Sequence, residues 1–198
     1  MRHDPTTLAV PAPAAPAAAG ARGSRAAGPL LAVGTVATGL MAGLFFAFDV
    51  SVMPGLADGD DRTYVTAMQH INKAIENGVF GLAFVGALLA TGLAAFLQYR
   101  AGRRTVALWA AAATALYLGA LIVTAVVNLP LNSELARAGD PSRIQDFAAV
   151  RAAFESTWVV GNVVRTLLCT AGLVALVRAL LLHGRATPLT GAAGLRKP

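Results

Sequence analysis

Three stretches of this chain carry no charged residue: Ala26 to Phe48, Asn77 to Tyr99 and Thr105 to Ser133. Each is at least about 20 residues long, enough at about 1.5 Å per helical residue to cross a hydrocarbon layer of about 30 Å. A fourth stretch, Trp158 to Leu182, is broken only by Arg165 and, near its far end, by Arg178. Segments that cross lipid must satisfy their own backbone polar groups, which makes each of these a helix. Composition agrees: of 198 residues 56% are hydrophobic and only 13% are charged, against about 25% in a soluble domain. The predicted fold is all-α, a four-helix transmembrane bundle with the lipid bilayer as its solvent.

The formal net charge of +6 does not point to nucleic acid, because the basic residues flank apolar runs and form no patch interleaved with aromatics. A lone cysteine, Cys169, excludes an intramolecular disulfide, and no Cys and His cluster has metal-ligand spacing. Phosphate-loop, HExxH and GxSxG motifs are absent, so no cofactor and no metal is expected. Residues 1–28, rich in Ala and Pro, and the basic residues 184–198 read as disordered tails around a membrane domain spanning 29–183. The charges separate by side. Arg2, Arg22, Arg25, Arg100, Arg103, Arg104, Arg178, Arg185, Arg196 and Lys197 fall on one side with a single acid, Asp4, and the other nine acids fall opposite. By the excess of Lys and Arg in cytoplasmic segments, both termini are expected in the cytoplasm, with the plasma membrane as the site. Nothing in the sequence sets an oligomeric state.

Two longer connections, Val50 to Glu76 and Leu129 to Thr157, then lie outside. In the first, Tyr64, Met68, Ile71 and Ile75 repeat at helical spacing, which predicts a short amphipathic helix over Arg62 to Asn77 docked on the bundle mouth. The second is also expected to be helical: Pro130 ends the third span, and Asp140-Pro141 opens a helix running through Arg151 and Phe154 into the fourth.

Polar groups inside a span cost a few kcal/mol each at mid-depth, so each is a candidate for function or for interior packing. At about 100° per residue, Glu155, Trp158, Asn162, Arg165 and Cys169 share one stripe of the fourth helix. Asp49 shares one with Thr35, Thr38, Ala42 and Phe45, and Asn128 with Thr114, Tyr117, Leu121 and Thr124. Gln69, Asn72 and Glu76 line up on the short outer helix. These stripes converge on the outer half of the bundle and predict a cavity there, with Asp49 and Arg165 close enough to pair. The plain alternative is an ion pair that fixes helix register. His70 falls with Thr66, Lys73 and Asn77, away from the apolar stripe, and reads as a solvated histidine. Cys169 reads as inert, and Tyr117 and Trp109 as packing residues.

Four segments also carry a family resemblance: Met41-Ala-Gly-Leu-Phe-Phe-Ala-Phe-Asp49 with Met53-Pro-Gly-Leu56; Ala67-Met-Gln-His-Ile-Asn-Lys-Ala-Ile75; Asn128-Leu-Pro-Leu-Asn132; and Trp158-Val-Val-Gly-Asn-Val-Val-Arg165. In this order they resemble the anthrone oxygenase-like family of small integral membrane proteins. Two positions depart from the pattern, with Gly161 where an aromatic is expected and Ser133 where an acid is expected. The resemblance implies oxidation of a hydrophobic aromatic small molecule, phenolic or anthrone-like, by dioxygen without a bound cofactor. It further implies Arg165, Asn162 and Asn128 as oxyanion donors, Trp158 as a stacking wall, and Asp49 or Glu76 as the base. Gln69, Asn72 and Asn132 would line the mouth with Glu76. Two other readings stay open: a small-molecule binder or accessory protein without catalysis, and a structural subunit.

Overall fold

The computed structural model describes residues 17–185, with side chains from residue 26 onward. Among these residues every regular element is helical: α1 (Ala17–Ala47), α2 (Met53–Ala57), α3 (Asp61–Ile75), α4 (Gly78–Arg100), α5 (Arg104–Val123), α6 (Leu129–Arg137) and α7 (Phe147–Arg185). Two π-helical turns, Phe48–Val52 and Thr124–Asn128, join α1 to α2 and α5 to α6 without a break. The result is 4 continuous helices apolar and long enough to cross a membrane: Ala26–Ala57, Gly78–Arg100, Arg104–Arg137 and Phe147–Arg185. The protein is an integral membrane protein built as a four-helix bundle. Helix α1 begins at Ala17, so the part of the N-terminal tail from Ala17 to Gly28 is helical, as are Gly184 and Arg185 at the other end. The remainder of both expected tails lies outside the described residues.

The two π turns have the same cause. Each starts six residues before a proline and ends two before it, Pro54 in one case and Pro130 in the other. A proline inside a helix lacks an N–H, and its ring presses on the carbonyl four residues back. Those carbonyls belong to Val50 and Val126, the middle residues of the two π turns. Widening the turn by one residue relieves the clash and lets the helix continue. Accordingly Met53 N–H donates to Phe48 O, and Leu129 N–H to Thr124 O, each five residues back. Pro130 therefore does not end the third span, contrary to the sequence expectation, because the π turn absorbs it and the helix runs on to Arg137.

A second expectation also changes. Asp140-Pro141 does not open the fourth helix. Asp140 instead accepts from Ser142 N–H at 2.8 Å within a turn, and α7 begins only at Phe147, where Asp146 accepts from Ala149 N–H at 2.9 Å. The amphipathic helix of the first outer connection is α3. Asp60 caps it by accepting from Thr63 N–H at 2.8 Å, a bond that holds the Asp60 carboxyl below its usual range. Tyr64, Val65 and Met68 of α3 are buried against Met53, Leu135, Phe154 and Trp158. Arg151 clamps this cap to α7, donating to Asp61 at 3.0 Å, Glu155 at 2.7 Å and the carbonyls of Gly59 and Ala57.

The four long helices pack in a ring, α1 against α4, α4 against α5, α5 against α7 and α7 against α1. Toward the termini the core is mostly alanine: Ala94, Ala110, Ala113, Ala175 and Ala179 with Leu31, Val106 and Leu176. Small side chains let helix backbones approach, the arrangement that dispersion favours where lipid removes any hydrophobic drive between helices. At Gly34 an added Cβ would lie 2.7 Å from Thr91 Cγ2, so α1 and α4 touch there through bare backbone. Threonines inside the spans bond back to their own helices, Thr91 to Ala87 O at 2.9 Å and Thr114 to Ala110 O at 2.8 Å. The outward faces carry exposed Val79, Leu82, Leu89, Leu108 and Leu167, as a lipid-facing surface requires. Gly34→Val is expected to separate α1 from α4 and to lower stability by about 1–3 kcal/mol, read as reduced resistance to denaturant in micelles.

Candidate functional site

Arg165 organises the polar centre. It sits on α7 at 6% exposure, in an otherwise apolar bundle, and so must find its partners within the protein. Its Nη2 donates to Asn162 Oδ1 at 2.6 Å and its Nη1 reaches Thr124 Oγ1 at 3.5 Å. Its guanidinium lies over the Phe45 ring at 4.3 Å and the Trp158 ring at 5.4 Å. Two aromatic faces and two polar contacts replace the water that the cation would otherwise hold.

Asp49 does not pair with Arg165 directly, which corrects the expected ion pair. Its carboxylate accepts from the Asn162 amide and from the Thr166 hydroxyl instead. Asn162 thus stands between the two charges: its Oδ1 faces the arginine, and its Nδ2 donates to Asp49 and to Phe45 O, the latter at 2.8 Å. All of the Asn162 side chain's polar atoms are engaged, which fixes the amide in one orientation. Asp49 belongs to the first π turn, and Thr124 and Asn128 to the second. The two proline-induced distortions therefore bring their polar residues to the same depth on either side of α7.

A cavity of about 100 Å³ opens beside this centre. Its walls are Leu44, Phe45, Phe48, Ile71, Ile75, Phe80, Leu129 and Trp158, and its polar groups come from Asn72, Glu76, Thr124, Asn128, Asn132, Asn162 and Arg165. An outer vestibule of about 470 Å³ shares Asn72, Glu76, Leu129 and Asn132 with it and adds Gln69, His70, Lys73 and Ser133. Of the residues singled out from the sequence, Arg165, Asn162, Asn128, Asn72, Glu76, Asn132 and Trp158 line the cavity. Gln69 lines only the vestibule, where its Nε2 ties α3 to α6 by donating to Leu135 O at 2.8 Å and Gly139 O at 3.1 Å. Asp49 lines neither, being held behind Asn162. His70 is exposed at the vestibule.

Several of these side chains are locked. Trp158 Nε1 donates to Asn132 Oδ1 at 2.7 Å, and the indole packs between Phe48 at 5.7 Å and Phe154 at 5.9 Å. Asn128 Nδ2 donates to Trp158 O at 3.2 Å. That approach needs Gly161, since a Cβ there would lie 2.9 Å from Asn128 Oδ1 and 3.1 Å from Val127 Cγ1. In this chain the space beside Gly161 is taken by Asn128 and Val127, which leaves no room for an aromatic there. Ser133 donates back to Leu129 O at 2.9 Å at the vestibule rim.

Two buried donors of the cavity-lining residues, Asn72 Nδ2 and Arg165 Nε, have no partner among the described residues. Buried donors are rarely left unpaired, because each costs about 1–3 kcal/mol. An aromatic-walled cavity with unpaired donors fits a flat apolar ligand that carries an oxygen acceptor. Thr166 and Phe48 were missed by the sequence reading. Thr166 stands four residues after Asn162, so the same helical stripe contained the signal, whereas Phe48 falls at the start of a π turn that a regular wheel does not place. Asn162→Leu is expected to leave Arg165 and Asp49 both uncompensated and to cost about 3 kcal/mol in stability. Adding Arg165→Met to that variant should recover part of the loss, measured by denaturation in micelles.

The comparisons with known proteins agree with this arrangement in extent. The family model described as anthrone oxygenase matches residues 69–175, more than half of the chain and nearly all of the cavity, although Leu44, Phe45 and Phe48 lie before the match. No curated protein and no solved structure matches. On the family model, and on the bundle and cavity that its residues form, the chain belongs to the anthrone oxygenase family.

Proposed function

We propose that the protein oxidises a flat phenolic, anthrone-like molecule with dioxygen, using its own side chains and no bound cofactor. The observation that carries this reading is the cavity itself: four aromatic walls, Phe45, Phe48, Phe80 and Trp158, and two lining residues, Arg165 and Asn72, each with one buried donor, Nε and Nδ2, that has no partner among the described residues. A carbon acid flanked by aromatic rings forms a stabilised anion once a base removes its proton. Hydrogen-bond donors aimed at the oxygen that carries the developing charge lower that barrier, commonly by a factor of about 10²–10³. Arg165 and Asn72 supply such donors, and the π faces of Trp158 and Phe45 hold the guanidinium in place.

The reaction balances without another reductant. The base takes one proton from the ring CH₂, and the anion reduces dioxygen, forming a C–O bond and, after protonation, a hydroperoxide. Loss of the second proton breaks the O–O bond and leaves a carbonyl on carbon, the other oxygen departing as water. Glu76 suits the role of base. It lines both the cavity and the vestibule, is exposed, and makes no hydrogen bond or ion pair among the described residues. Asp49 suits it poorly, since two donors already hold its carboxylate out of the cavity. We assign Asp49 a positioning role, acting on Arg165 through Asn162.

The inner cavity is smaller than the roughly 300–1,000 Å³ of most ligand pockets. In this reading the oxygen-bearing edge of the substrate enters the inner cavity and the remaining rings occupy the vestibule, with α3 as the movable wall. Both termini are placed in the cytoplasm of a plasma-membrane protein on the basic residues clustered at that end, so the vestibule opens outward.

Dioxygen uptake with an anthrone-type phenol should fall by about 10²-fold in Arg165→Met and by about 10²-fold or more in Glu76→Gln, with helix content retained. Substrate binding without any oxidation by the natural protein would assign the pocket to recognition alone. Orientation is tested separately: in a Cys169→Ala background, a cysteine placed by Ser133→Cys should react with an impermeant label from outside intact cells. Reaction only from the cytoplasmic side would invert the topology.

A further inference from the structure

The end of the bundle that carries the termini holds a second feature, remote from the cavity. Between α4 and α5 lies a surface groove of about 420 Å³. Its floor is Ala107 and Ala111, its walls are Phe96, Tyr99 and Leu108, and Arg104 closes one end. Arg104, Ala107, Leu108 and Ala111 form one stripe of α5, so the groove runs along the helix for about two turns from the arginine toward mid-bilayer.

The groove faces lipid, with Leu108 at 70% and Tyr99 at 63% exposure. Helix α4 has 23 residues, a length of about 34 Å, which puts Arg100 and Arg104 at head-group level when its other end reaches the opposite interface. The charge here is unmatched. No Asp or Glu occurs between Glu76 and Glu134 or after Glu155, so this end presents Arg100, Arg103, Arg104 and Arg178 without a facing acid among the described residues. Arg103 is turned to His183 Nδ1 at 2.9 Å, and Arg100 lies over the Phe96 ring at 5.8 Å. Arg104 makes no hydrogen bond or ion pair among the described residues, and it begins a 20-residue helix that has no side-chain cap and no acid in its first turn.

We propose that this groove binds an anionic phospholipid, one acyl chain lying on Ala107 and Ala111 between the aromatic and leucine walls and the phosphate resting on Arg104. The small floor residues leave room for a chain, and the cation at head-group depth selects for net negative charge among lipids that would all fill the apolar part equally.

The test uses the full chain purified in mild detergent, offered phosphatidylglycerol or phosphatidylcholine, with retained lipid counted by native mass spectrometry. The natural protein should retain phosphatidylglycerol over phosphatidylcholine by about fivefold, the factor expected of one head-group arginine. Arg104→Gln should remove that preference. Ala111→Phe, at an exposed position that leaves the charge intact, should lower retention of both lipids. Equal retention of the two lipids by the natural protein overturns the proposal. So does undiminished retention in a folded Ala111→Phe variant, which would mean a head-group contact with no chain in the groove. Displacement of phosphatidylglycerol by soluble glycerol phosphate would mean a small-anion site and overturns it as well.

Discussion

A permanently charged guanidinium inside an apolar bundle is the constraint on which the rest of this protein depends. Arg165 cannot be neutralised near neutral pH, whereas a buried lysine can give up a proton and a buried carboxylate can take one up. It must be solvated by protein, and every element that surrounds it contributes: Phe45 from α1, Thr124 from the second π turn, Trp158 and Asn162 from α7 itself. Asp49 supplies the compensating charge at one remove. Placing an amide between the two ions keeps the arginine from being capped by a carboxylate, so part of its donor capacity stays uncommitted. A directly paired Asp49 and Arg165 would be a structural strut. The relay through Asn162 holds the same helices together while leaving Nε of the arginine without a partner among the described residues.

The two π turns are what make this geometry reachable. An α-helix presents polar residues on one stripe, and a stripe on α1 and another on the third span would have to meet α7 at the same depth by chance of register. Prolines six residues beyond the start of each turn impose a local widening at Phe48–Val52 and Thr124–Asn128, and the widened turns carry Asp49, Thr124 and Asn128. Each π turn also keeps its helix continuous, so α2 and α6 are rigid extensions of the spans and not loops, while α3 is a separate helix docked beside them. Gly161 completes the fit from the other side, because only a residue without Cβ lets Asn128 reach the Trp158 carbonyl.

This also explains what the sequence could and could not show. The spans were legible because long uncharged runs have one solution in lipid, and α3 because Tyr64, Met68, Ile71 and Ile75 repeat at a regular helical period. The convergence of Asn128, Asn162, Trp158 and Arg165 on one volume was legible for the same reason. What failed was each inference that treated proline or aspartate as a simple boundary signal. Pro130 reads as a stop and Asp140-Pro141 as a start, yet the first is absorbed by a π turn and the second lies in a turn ahead of the true cap at Asp146. The Asp49 pairing failed because equal depth does not say which side chain lies between two charges: Thr38, Ala42 and Phe45 are buried on the expected face, but the Asp49 carboxylate is taken by Asn162 and Thr166.

The location of the cavity follows from a gradient in side-chain size along the bundle. Toward the termini, alanines and Gly34 bring the helices to backbone contact, and at Gly172 an added Cβ would stand 3.4 Å from Ala113 O. Toward the other end the core changes to Met53, Tyr64, Met68, Phe154 and Trp158. The cavity opens at this second end, and the polar residues that need one another are found at its edge. Closing the bundle there would require smaller side chains than Trp158 and Phe45, but those rings are the surfaces that stabilise Arg165. The same residues thus keep the arginine buried and line the cavity, which ties the stability of this end of the bundle to the presence of the site.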